Sequence, residues 1–162
     1  GRMVNMLVLD GRDERLKFLG VDGILTAVCC PNCVGFLQGP AFNRFTLDGG
    51  AEVFPSELFD GSEQIKCYVR PEEYKALTEN SFVLGKAPVP LFYGGACDDV
   101  NTIGGFANWV QDWEYTACPH CGKPMKYLAQ IQWDILMDGT EGTLYIEFCP
   151  DCQIVSMQHQ QT

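Results

Sequence analysis

The chain has 162 residues, 46% of them hydrophobic and 12% aromatic, enough for one domain or two small ones with a buried core. That composition excludes a wholly disordered chain, and no apolar run is long enough to span a bilayer. A formal net charge of −10, from 21 acidic and 11 basic side chains, repels phosphate backbones and anionic headgroups and so argues against nucleic-acid and membrane partners.

In chain order, Gly1-Arg2 ahead of Met3 reads as an expression scar or a trimmed start, and Met6 to Leu9 is too short for a signal-peptide core. A cytoplasmic protein is the expectation. Phe45 and Leu47 alternate with Arg44 and Thr46, Asp48-Gly49-Gly50 turns, and Ala51 to Phe54 returns, which predicts a small hairpin. Pro71 to about Thr78 is the best helix candidate, with proline at the first position and Glu72 and Glu73 in the first turn, where the helix dipole favours acids. Gly85 to Gly105 is rich in Gly and Pro and reads as irregular.

The C-terminal part carries the strongest strand signals. Ile131, Trp133, Ile135 and Met137 recur at every second position with Gln132, Asp134 and Asp138 among them, residues 139–142 read as a turn, and Leu144, Ile146 and Phe148 alternate again. The period of two predicts an antiparallel hairpin. The expected fold class is mostly β, antiparallel strands and hairpins with a C-terminal zinc ribbon. Two units are expected, a β-rich half over residues 1–99 and a zinc-ribbon half over 100–162, with one compact domain as the alternative.

Nine cysteines, an odd number, include three Cys-x-x-Cys pairs: Cys30/Cys33, Cys118/Cys121 and Cys149/Cys152. Reduced thiols that bind metal suit this count better than a disulfide framework. Two residues between cysteines let a tight turn aim both sulfurs at one ion, and zinc takes four such ligands in a tetrahedron. In Cys118-Pro119-His120-Cys121-Gly122, proline presets one backbone angle and glycine accepts a positive one. Cys149-Pro150-Asp151-Cys152 repeats the design without glycine. With strands expected from Trp113 to Ala117 and from Met125 to Ile131 around the first pair, Cys118, Cys121, Cys149 and Cys152 form the predicted zinc site.

Cys30 and Cys33 are candidates for a second metal site, with Cys67, Cys97 or the adjacent Cys29 as further ligands; buried thiols without metal are the competing reading. Knuckle, strand, turn and strand recur after residues 30–33 and after 118–121, which suggests a duplication of halves. A redox dithiol would need a Cys-x-x-Cys pair between a strand and the start of a helix. His120 and His159 have no nucleophile or acid patterned with them, so general base catalysis has few candidates.

The stretch from about 101 to 158 resembles the YwqG-like family of bacterial proteins. The resemblance is carried by Ile103-Gly104-Gly105-Phe106-Ala107-Asn108-Trp109-Val110-Gln111, then Cys-Pro-x-Cys-Gly, Met125, Leu128-Ala129-Gln130-Ile131, and the Leu-Tyr-Ile-x-Phe-Cys strand ending at Cys149. Ala107 stands where that family usually has proline. A more distant similarity is to programmed cell death protein 2. The resemblance implies a β-rich fold with duplicated halves, no established enzymatic activity, and, on the second branch, chaperoning of a basic ribosomal protein. Gly104, Gly105, Trp109, Gln111 and Gln130 are the matched residues, with a ligand-binding or a structural role.

The expected function is therefore non-enzymatic: a protein with structural zinc that binds a basic protein partner in an adaptor, chaperone-like or toxin-neutralising role. The alternatives are a thiol-disulfide redox enzyme using a Cys-x-x-Cys pair and a nucleic-acid-binding zinc ribbon.

Overall fold

The computed structural model describes residues 2–36, 39–54, 69–79, 81–86, 101–112 and 114–161. The expected ligands Cys67 and Cys97, the expected strand residue Trp113 and most of the Gly/Pro-rich middle lie outside them.

The chain is mostly β and antiparallel. Strand β1 (Val4–Asp10) pairs with β2 (Ile24–Cys29) as a two-stranded sheet, joined through a 3-10 helix at Glu14–Leu19. That helix starts at Asp13, whose carboxylate accepts the Arg15 amide at 2.9 Å, a side-chain cap for an otherwise unpaired donor. Helix α1 (Pro31–Phe36) follows β2 directly. Strands β3 (Ala41–Phe45) and β4 (Ala51–Val53) form the expected hairpin, and helix α2 (Pro71–Glu79) stands where proline and two glutamates predicted it.

The second sheet has six strands in the order β4-β3-β8-β7-β6-β5, adding β5 (Thr102–Ile103), β6 (Lys126–Gln132), β7 (Thr143–Cys149) and β8 (Ile154–Gln160). Strands from both sides of residue 99 share it, since β3 pairs antiparallel with β8 from Ala41↔Met157 to Arg44↔Ile154. The fully buried Asn43 links the two sheets: its carbonyl accepts the Val28 amide and its amide donates to the Thr26 carbonyl, both at 2.9 Å.

The strand expected from Trp113 to Ala117 is not formed in residues 114–117, where Ala117 makes only an isolated bridge to Pro124, and a second strand expectation is corrected in β6. The alternation from Ile131 to Met137 is not one strand: β6 stops at Gln132 and Trp133–Leu136 forms a helical turn, α3. A strand would put Trp133, Ile135 and Met137 on one face. The helical turn instead buries Trp133, Leu136 and Met137 and leaves Asp134 and Ile135 exposed, so spacing of three and four wins over spacing of two.

The large sheet has two different faces. Leu144, Ile146, Phe148, Val155 and Met157 join the main core beneath β1, β2 and the helices. The opposite face of β7 and β8 carries Tyr145, Glu147, Ser156, Gln158 and Gln160, all buried as well. Among the described residues no helix is long and apolar enough to cross a membrane.

Candidate metal centre and the strap beside it

The first knuckle is a tight reversal. Met125 donates to the Thr116 carbonyl at 2.8 Å, Ala117 bridges Pro124, and Cys118 donates to the Lys123 carbonyl at 2.8 Å. Gly122 closes the turn with φ 71°, donating to the Cys118 carbonyl at 2.9 Å; a side chain there would be strained. The second knuckle links β7 to β8 across the Cys149↔Ile154 pair. Gln153 occupies the place of Gly122 and adopts φ 55°, the one non-glycine residue with positive φ among those described. Its carbonyl accepts the Phe45 amide at 2.8 Å, so β3 holds this turn in place.

The two turns bring Cys118, Cys121, Cys149 and Cys152 together, with one sulfur from each lying within 4.8 Å of the others. Cys121 Sγ and Cys149 Sγ are 3.9 Å apart, too far for a disulfide, and all four cysteines are free. A zinc tetrahedron with bonds of about 2.3 Å has edges of about 3.8 Å, which the Cys121–Cys149 separation matches. Cys118 and Cys149 are buried against Met125 and Ile154, with Phe42 and Phe54 packed on that cluster; Cys121 is exposed. At the tip, Lys123 Nζ meets Asp151 Oδ2 at 3.0 Å, an exposed and solvent-screened pair joining the knuckles.

The thiols are electrostatically unequal. A Lys123 backbone hydrogen bond leads the lowering of Cys121. Burial pushes Cys149 up, and burial followed by its thiol neighbours pushes Cys152 up to about 12. Four thiolates at this spacing repel one another, so a divalent cation supplies the charge that lets them share the site. These four cysteines fit a metal ion with four thiolate ligands.

Cys30 and Cys33 stand elsewhere, at the junction of β2 and α1. The expected strand after them is helix α1, because Cys33 and Val34 donate to the Cys30 carbonyl at 2.9 and 3.0 Å. Their geometry thus differs from that of the two other pairs. Among the described residues they belong to no group of three or more metal-ligating side chains.

Gly104, Gly105, Trp109, Gln111 and Gln130 meet along a strap, residues 104–112 and 114–116, that crosses the polar face of the sheet. Gly104 donates to the Leu128 carbonyl at 2.7 Å with φ 73°, and an added Cβ would lie 2.5 Å from the Phe18 ring. Gln130 Oε1 accepts the Asn108 amide at 2.7 Å. Trp109 lies over Tyr145 with ring centroids 4.4 Å apart and meets Tyr115 edge-on at 5.5 Å. The Gln111 amide donates to Gln160 Oε1 at 3.2 Å, and Gln111 Nε2 donates to the Gln161 carbonyl at 2.6 Å.

The rest of the fastening was not singled out from the sequence. The Tyr145 hydroxyl donates to the Asn108 carbonyl at 2.6 Å and accepts the Val110 amide at 2.9 Å. Gln158 and Gln160 donate to the Glu114 and Asp112 carbonyls at 2.6 and 3.1 Å. Glu147 Oε2 accepts the Thr116 amide at 2.8 Å, while its buried Oε1 has no hydrogen-bond partner among the described residues. Burial raises the Glu147 carboxyl above its ordinary range. The available signal was the alternation in β7 and β8 of apolar residues with Tyr, Glu, Ser and Gln, where a solvated face would favour Lys and Arg. The strap runs from β5 into the first knuckle, so one polar layer positions Cys118. His159, by contrast, is a local tie, its Nε2 2.9 Å from the Glu141 carbonyl and its ring 5.2 Å from Trp133.

No protein-family profile and no solved structure matches the chain. The uncharacterised protein YpfL of Salmonella typhimurium is 35% identical over 82 residues, covering 48% of this chain and 19% of that protein. The chain thus corresponds to about a fifth of the relative's length, and the likeness is partial.

Proposed function

We propose that Cys118, Cys121, Cys149 and Cys152 hold one zinc ion as the closed centre of a zinc ribbon, and that the protein acts by binding a basic protein partner without turnover. The observation that carries this reading is the convergence of four free sulfurs within 4.8 Å. Zinc, when bound, supplies the positive charge that crosslinks two turns distant in sequence. The protein's own residues preset the site: Gly122 and Gln153 take the positive φ that closes each turn, and the strap fixes the approach to Cys118.

With four protein ligands the ion keeps no open position for water, so it favours folding over hydrolysis. The partner's basic character is argued from the net charge of −10, which steers cations and repels nucleic acid. The likeness to programmed cell death protein 2 supports the same direction as analogy, and a cytoplasmic setting suits reduced thiols.

Elemental analysis of protein purified without added zinc or chelator tests the centre. One zinc per chain is expected, with the four thiols unreactive until chelation. Four thiols that react freely in the folded, metal-free protein would overturn it. For the partner, a low-salt pull-down with the purified chain should retain basic proteins that a charge-reversed surface variant releases; an empty pull-down would sink that half.

A further inference from the structure

We infer that Cys30 and Cys33 form a redox-active dithiol, separate from the metal centre, which closes to a disulfide by exchange with a low-molecular-weight disulfide. The first observation is the backbone. Cys30 ends the connection from β2 and its carbonyl accepts the amides of Cys33 and Val34, so both cysteines share the first turn of α1. Residues three apart in such a turn have Cα atoms within about 7 Å. A disulfide spans about 4.4–6.8 Å, so the pair closes with little backbone movement.

The second observation separates this pair from the other two. In each metal knuckle the residue after the second cysteine has positive φ, Gly122 at 71° and Gln153 at 55°. After Cys33 the chain continues as helix through Val34 and Gly35. The turn thus joins a strand to a helical turn, whereas the metal knuckles turn back without a helix, so the two sulfurs are set out differently from those of a metal knuckle.

The third is anchoring. Pro31 is fully buried, and Asn32, 2% exposed, accepts the Val69 amide at 2.9 Å and donates to the Tyr74 hydroxyl at 2.8 Å. The two residues between the cysteines are thus clamped, which fixes the backbone of the turn that carries both thiols. Cys29 does not compete: it is 1% exposed in the main core, and burial, then its neighbours Cys30 and Cys33, raise its thiol far above the ordinary range.

Exposure orders the steps. Cys33 is half-buried and Cys30 is 4% exposed, so an external disulfide reaches Cys33 first. The Cys33 thiolate attacks one sulfur of the small disulfide, forming a mixed disulfide and releasing one small thiolate. The Cys30 thiolate then attacks Cys33 Sγ, forming the Cys30–Cys33 bond and releasing the second. Two electrons pass to the small disulfide, and the two protons lost by the cysteines go to the two departing thiols. The closed pair locks the turn that carries Asn32, and through it the packing of α2.

The test uses the full chain with its metal bound, equilibrated in mixtures of reduced and oxidised glutathione, acid-quenched, alkylated and peptide-mapped. A Cys30–Cys33 linked peptide is expected, its fraction following the two-electron glutathione ratio, while Cys118, Cys121, Cys149 and Cys152 stay unmodified. In Cys30→Ser the glutathione adduct on Cys33 should persist at least about tenfold longer than in the parent chain, because the resolving thiol is gone. In Cys33→Ser no adduct should form on Cys30 over the same time. The mapping of the unsubstituted chain needs neither variant to fold. Absence of the linked peptide at every ratio, linkage of Cys33 to Cys67 instead, or a second zinc lost on substituting Cys33 would each overturn the assignment. The Cys30–Cys33 linkage and the Cys33 adduct are read independently of whether the first zinc is present.

Discussion

Tyr145→Phe tests the idea that side chains of the sheet hold the strap. The ring stays, so its stacking on Trp109 at 4.4 Å is kept and no cavity opens. Only the hydroxyl goes, and with it two hydrogen bonds, at 2.6 Å to the Asn108 carbonyl and at 2.9 Å from the Val110 amide. Each such bond contributes about 1 kcal/mol net. Asn108 and Val110 are exposed residues, so water can satisfy part of what is freed, and the larger cost of an orphaned buried group does not apply in full. The expected loss is about 2 kcal/mol. Urea unfolding at fixed zinc measures it, and hydrogen exchange locates it, with the Val110 amide losing protection while the β7 and β8 amides keep theirs. A change under about 0.5 kcal/mol with Val110 still protected would refute the reasoning, since surface substitutions commonly fall in that range.

Other outcomes follow from the same geometry. Cys152→Ser should lower zinc content below one per chain after dialysis against a mild chelator and lower the melting temperature; unchanged content would place the metal elsewhere. Gln153→Gly should stabilise by about 0.5–1 kcal/mol, because a left-handed residue with a side chain is strained at φ 55°; a loss in urea unfolding would show that the side chain matters more. Asn32→Ala should cost about 2–3 kcal/mol by leaving the buried Val69 amide and the Tyr74 hydroxyl without these bonds, and a cost below about 1 kcal/mol would deny it an anchoring role.

Much of this chain is legible in its sequence because the signals are local. Cysteine spacing with Pro119 and Gly122 dictates the first knuckle, and Pro71 with Glu72 and Glu73 dictates the start of α2, since caps and turns depend on neighbours a few residues away. Alternation in β7 likewise gave a strand, being a property of the strand's own backbone. The meeting of the two C-terminal knuckles was also readable, because a hairpin of fixed register separates them.

Three features were settled only by tertiary packing. At Trp133–Leu136 the core accepted a helical turn, because burying Trp133, Leu136 and Met137 together outweighed a local pattern of period two. After Cys33 the chain became helix where buried Asn32 ties the turn to Val69 and to Tyr74 of α2, contacts more than 35 residues away in sequence. The polar residues of β7 and β8 are buried because the strap lies on them. Tyr145, Glu147, Gln158 and Gln160 pair with backbone groups 31 to 48 residues distant, a separation across which no local pattern in one sequence records a partner.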